Sequence, residues 1–185
     1  DYQKAIEFNL QALRLAEELH DKYRAEIILG NLGLIYLSQK KHVKAIEYFD
    51  KALKLAESIG DKNGVSRHLN NIGLVSLELN DNNKALEYFQ KAYEIDKEIG
   101  NKKGIATNYG FIGRALTKLG KYLESENSLN KALFLANELN SLEDISEIEK
   151  SFTELYEKMG KPLLAYEHYN KYTLARDSLK NDEII

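Results

Sequence analysis

The chain has 185 residues, 43% hydrophobic and 30% charged, with one proline, no tryptophan, no cysteine and a net charge of −3. That is enough for one domain or for a repeat array with a continuous core. The lack of cysteine excludes a disulfide framework and a thiolate metal site, and the charge gives no reason to expect nucleic acid or an anionic membrane as partner. A single proline leaves helices uninterrupted and favours an all-α chain. No apolar run approaches the roughly 18–20 residues needed to span a bilayer.

In chain order, the first element is a helix over about Tyr2 to Leu19. The units that follow are 21–60, 61–100, 101–140 and 141–180, each a pair of helices, with turns near residues 20, 40, 60, 80, 100, 120, 140 and 160. The units are set by a step of 40 residues, read from 33 to 73 to 113. Gly33, Gly73 and Gly113 keep that step, as do Ala12, Ala52, Ala92 and Ala132. Ala5, Ala45, Ala85 and Ala165 keep another, with Ser125 in the fourth slot. Within a unit the first helix, for example Lys62 to Leu79, carries Val65, Leu69 and Ile72 at a spacing that makes one buried stripe, continued by the polar Ser76. The second, about Asn82 to Ile99, has Ala85, Leu86, Phe89, Ala92 and Tyr93 on one face. Gly33 and Ala45 let two helices approach closely, and Tyr36 and Phe49 fill the space beside them. Gly60 is placed to end a helix in the left-handed conformation. Asp61, Asn101 and Ser141 are placed to cap the helices that follow them, and Pro162 falls at a helix start. The expected architecture is an all-α, right-handed superhelical solenoid of antiparallel helix pairs. The chain opens on Asp1 in the second half of a unit, so we expect it to be part of something longer or to lack its start.

Leu32-Gly33, Tyr36, Ala45, Phe49 and Ala52 resemble the tetratricopeptide repeat, and Ile72-Gly73, Ala85, Phe89 and Ala92 repeat the match. The third unit keeps Ile112-Gly113 and Ala132 but has Ser125 and Leu129 in the other slots; the fourth has Thr153 in place of glycine and keeps Tyr156, Ala165 and Tyr169. The common repeat has about 34 residues. Here the slot of its closing proline holds Glu57, Lys97, Asn137 and Asp177, so the second helix can run on and lengthen the period. The tail, "AYEHYNKYTLARDSLKNDEII", resembles the last repeat of bacterial signalling proteins in which such an array precedes a histidine kinase or helix-turn-helix output domain. This implies that residues 181–185 start a connector, with an output domain or a homodimer partner beyond it.

The resemblance implies a concave surface lined by the first helix of each pair, and thus a protein or peptide partner. Its ligand-facing slots hold Asn31 and Leu34 in the first full unit. They hold Arg67, Asn70, Asn71 and Leu74 in the second, Arg114 in the third with Lys118 beside it, and Glu147, Glu154 and Glu157 in the fourth. Guanidinium groups pair with carboxylates in bidentate fashion, and asparagine amides can both give and accept bonds with an extended backbone. The expected ligand is therefore a peptide or protein segment with an acidic group, while Leu34 and Leu74 could equally pack on neighbouring helices.

Catalysis is not expected. His20, His42, His68 and His168 fall in different slots without a metal-ligand spacing, which suggests solvated or groove side chains. "GFIGRALTKLGK" places six residues between Gly113 and Gly120, where a phosphate-binding loop has four, and Tyr122 follows its lysine. The acidic residues read mostly as a solvated helix face. No cofactor or metal is implied, no nucleic-acid partner is expected through this stretch, and the compartment is left between cytoplasm and periplasm. The function class is a protein- or peptide-binding module, as the sensor or regulatory region of a bacterial signalling protein; the alternative is a free-standing scaffold or cytoplasmic peptide-pheromone receptor.

Overall fold

A computed structural model describes residues 1–182; residues 183–185, the end of the expected connector, lie outside the described residues. Among the described residues there are nine α-helices and no strand. They are α1 (Tyr2–Glu18), α2 (Lys22–Ser38), α3 (His42–Ile59), α4 (Lys62–Glu78), α5 (Asn82–Glu98), α6 (Lys102–Lys118), α7 (Tyr122–Glu138), α8 (Leu142–Lys158) and α9 (Pro162–Asp182). The chain divides into two compact units, Asp1–Ile99 and Gly100 onward.

In the first unit α2 packs on α3 and α4 on α5, while α1 and α4 each pack against α2. The tightness comes from missing side chains. A Cβ built on Gly33 would lie 2.4 Å from Phe49 Cε1, and one on Gly73 would lie 2.5 Å from Phe89 Cε1. Each aromatic ring thus rests directly on the backbone of the facing helix, and Phe49, Phe89, Ala45, Ala52, Ala85 and Ala92 are all fully buried. Leu32, Tyr36, Ile72 and Val75 complete this core with Ile6 of α1.

In the second unit α6 packs on α7, and α8 packs on α6, α7 and α9. Leu129 does for Gly113 what Phe49 does for Gly33, at 2.6 Å from the built Cβ. Ser125, in an alanine slot, is buried without a stranded hydroxyl: its Oγ donates to the Gly113 carbonyl (2.8 Å) and shares a hydrogen bond with Thr117 Oγ1 (2.7 Å). The core here is Leu129, Ala132, Ile148, Phe152, Leu155 and Tyr156. Tyr156 Oη donates to Glu126 Oε1 (2.6 Å), and burial pushes its pKa up to about 12.

The turns are alike. His20, Lys40, Gly60, Asn80, Gly100, Gly120, Asn140 and Gly160 all have positive φ, between 50° and 74°. Asp21 Oδ1 caps Arg24 N, Asn101 Oδ1 caps Gly104 N and Ser141 Oγ caps Asp144 N. Asp61 differs from expectation, for it stands at the N-cap of α4 without a side-chain capping bond. Lysine has no side-chain group that favours the left-handed region, which disfavours an ordinary residue by about 1–2 kcal/mol. Lys40→Gly is therefore expected to raise the unfolding free energy by about 1 kcal/mol in a urea titration, whereas Gly60→Lys should lower it by a similar amount.

Candidate functional site

In the first unit the rows expected to face a ligand lie on α2 and α4, which pack on each other. Asn31 and Leu34 are exposed on α2; Asn71 and Leu74 are half-buried on α4, and Asn70 is buried. Arg67 is already engaged: its Nη2 donates to Glu26 Oε1 across the helix pair at 2.8 Å. Glu26 is fully buried and also accepts from the Nε2 of His68, itself 1% exposed. The imidazole lies over Gly30, where a built Cβ would be 2.7 Å from Cε1. Burial pushes the His68 imidazole below its usual value, against the opposing pull of Glu26.

In the second unit α6 and α8 enclose a cleft lined by Thr107, Gly110, Phe111 and Arg114 on one side and by Asp144, Glu147, Ile148 and Ser151 on the other. The Arg114 guanidinium sits 6.0 Å from the centroid of the Phe111 ring. Asp144 accepts from Ser141 Oγ, and Ser151 Oγ donates to the Glu147 carbonyl. Lys118 lies near the cleft's end with its Nζ 3.8 Å from Glu154 Oε1. The floor is apolar, the walls carry opposite charges, and the enclosed space is small, about 40 Å³. The sequence-derived set thus falls into two groups, Asn31, Leu34, Arg67, Asn70, Asn71 and Leu74 in the first unit and Arg114 and Lys118 in the second.

Two of the histidines are neither solvated nor groove side chains. Besides His68, His168 Nδ1 pairs with buried Glu149 and its ring stacks on Phe152, with centroids 4.5 Å apart. His42 pairs with Glu78 at 2.8 Å on the surface. Sequence periodicity passed over the buried acids Glu26, Asp96 and Glu149. A signal existed for Glu26: its slot holds Ser66, Ala106 and Ser146 in the other units. Among the described residues no group of three or more His, Cys, Asp or Glu could hold a metal ion, and no helix is long and apolar enough to cross a membrane.

Family models described as tetratricopeptide repeat match residues 24–98 and 106–151. The chain belongs to the tetratricopeptide repeat family. No curated protein matches it. Among solved structures it is similar to BtubC from P. vanneervenii, at 20% identity with a TM-score of 0.78, over 97% of this chain and 75% of that one. It is also similar to the apo form of RapI, at 20% identity with a TM-score of 0.76, over 97% of this chain and 64% of that one. A Rap protein complexed with competence and sporulation factor matches at 14% identity with a TM-score of 0.75, over 98% of this chain and 60% of that one. At these identities the likeness concerns the fold, an all-α tetratricopeptide-like solenoid of helix pairs. Within the family pattern, Gly33, Gly73 and Gly113 each meet the bulky side chain of the facing helix, and first-helix slots of α6 and α8 line the cleft of the second unit.

Proposed function

We propose that this tetratricopeptide chain is a protein- or peptide-binding module without catalytic chemistry, and that it takes an extended segment bearing an acidic side chain. The observation that carries this is the cleft between α6 and α8, where first-helix slots of successive repeats share one apolar floor below the Arg114 guanidinium. Arg67 is occupied by Glu26 and Lys118 lies near Glu154, so Arg114 is the principal anchor for a ligand carboxylate in this reading. Glu147 and Asp144 on the opposite wall favour a basic or donor group on the same segment. The Rap structure solved in complex with competence and sporulation factor supports a binding role for this fold. The tail's likeness to signalling proteins supports a sensor or regulatory region; a free-standing scaffold or cytoplasmic peptide receptor is the alternative.

The test is a titration of an immobilised library of acidic peptides against the wild type and Arg114→Glu. Loss of a charge-assisted hydrogen bond, about 1.5–3 kcal/mol, should weaken the selected peptides by about 10- to 150-fold. The melting temperature should stay the same, because Arg114 is a half-buried cleft residue rather than part of the core. Unchanged affinity in Arg114→Glu would remove this cleft from the binding surface.

A further inference from the structure

The seam between α2 and α4 is built on buried ionisable groups, whereas the matching buried positions between α6 and α8 are apolar. Glu26 and His68, 42 positions apart, are matched in the second unit by Ala106 and Ile148, both buried. Where His68 crowds Gly30, Ile148 Cγ1 would meet a Cβ on Gly110 at an ordinary 3.6 Å.

We propose that the Glu26–His68–Arg67 cluster is an acid-sensitive joint that holds α2 against α4 at neutral pH and loosens when His68 takes up a proton. The argument starts from the hydrogen bonds. His68 Nε2 donates to Glu26, so the proton taken up on acidification goes to Nδ1. That nitrogen is buried against Gly30 and has no hydrogen-bond partner. Protonation therefore creates a buried N–H without an acceptor, which is unfavourable, the more so for a charged group. Charge balance points the same way. Arg67 already neutralises Glu26, so the added proton leaves one net positive charge in the seam. The other groups around the imidazole do not change this. Asp61, at the start of α4, acts on it weakly; Asp96 of α5 is taken by Ser66 Oγ at 2.5 Å; and the buried residues of α3, Ala45, Phe49, Ala52 and Ala56, do not titrate.

The sign follows from proton linkage. A histidine whose folded value lies below its unfolded value of 6.5 binds more protons unfolded, so its contribution is present above about pH 6.5 and is lost as pH falls through the folded value. The joint concerns the first unit and is independent of which ligand the second unit's cleft takes.

The experiment compares urea unfolding of the wild type and His68→Gln at pH 7.5 and pH 5.5. The wild-type unfolding constant should rise more than that of His68→Gln over this range, with a ceiling of about tenfold per pH unit for one proton. Equal pH dependence in the two proteins would overturn the proposal. If His68→Gln does not fold, the wild-type imidazole decides by NMR titration. An inflection below 6.5, with nitrogen shifts of the Nε2–H tautomer at neutral pH, is the expected result. An inflection at or above 6.5 would overturn the proposal.

Discussion

Phe49→Ala is expected to lower the unfolding free energy by about 3–5 kcal/mol, the range for removing a large aromatic from a filled core. Phe49 is fully buried and its ring lies where a Cβ on Gly33 would be. The pair makes a sharper forecast than either residue. Gly33→Ala in the wild type forces a methyl group to within 2.4 Å of the ring, so the ring must shift in a core that has no room for it. Overpacking of this kind costs about 1–3 kcal/mol. In a Phe49→Ala background the clash is gone, and alanine is the better helix former by about 0.5–1 kcal/mol. Gly33→Ala should therefore change sign, from destabilising to stabilising, between the two backgrounds. A double-mutant cycle measured by urea titration checks this, and additive effects would mean that the ring does not rest on Gly33.

Arg67→Glu is expected to lower the unfolding free energy by about 3 kcal/mol, because it leaves the buried Glu26 carboxylate without its cation and sets a second carboxylate beside it. Half of the Arg67 side chain is exposed, which places the effect at the lower end of the range for broken buried pairs. Arg114→Glu, in the cleft of the second unit, should stay within about 0.5 kcal/mol of the wild type. Both arginines stand on first helices in rows the family pattern would turn to a ligand, so the contrast separates a cation that holds a buried carboxylate from one in the cleft. Denaturation of both variants at pH 7.5 is the measurement. Equal stabilities would mean that Glu26 does not depend on Arg67.

Much of the fold was legible in the residues because a repeat states its own rules several times. Gly33, Gly73 and Gly113 recur at one step with a bulky partner 16 positions on, read from 33 to 49, 73 to 89 and 113 to 129, and each pair meets in the structure. Pro162 opens α9, and Gly60 ends α3 with φ of 73°, for the same local reasons the sequence suggests. Turn chemistry was less legible, since Lys40 adopts left-handed φ without any residue preference for it. There the helix geometry on both sides imposes the turn, and local propensity yields.

By itself the sequence determined the family and the helix pairs, because these depend on side-chain period and on the size of a few recurring residues, and the family resemblance suggested rows that a ligand would meet. The tertiary structure decided which charges in those rows are available. Arg67 stands five before Ile72 and Arg114 two after Ile112, both in rows the family pattern would turn to a ligand, and that pattern does not tell which of the two is already paired. Arg67 is drawn to Glu26, which sits two turns from Leu34 on the preceding first helix and is carried into the core by packing. A buried carboxylate must be partnered, and its partners come from a helix about 40 residues away. Such pairings depend on the three-dimensional approach of α2 to α4, and one-dimensional periodicity does not contain them.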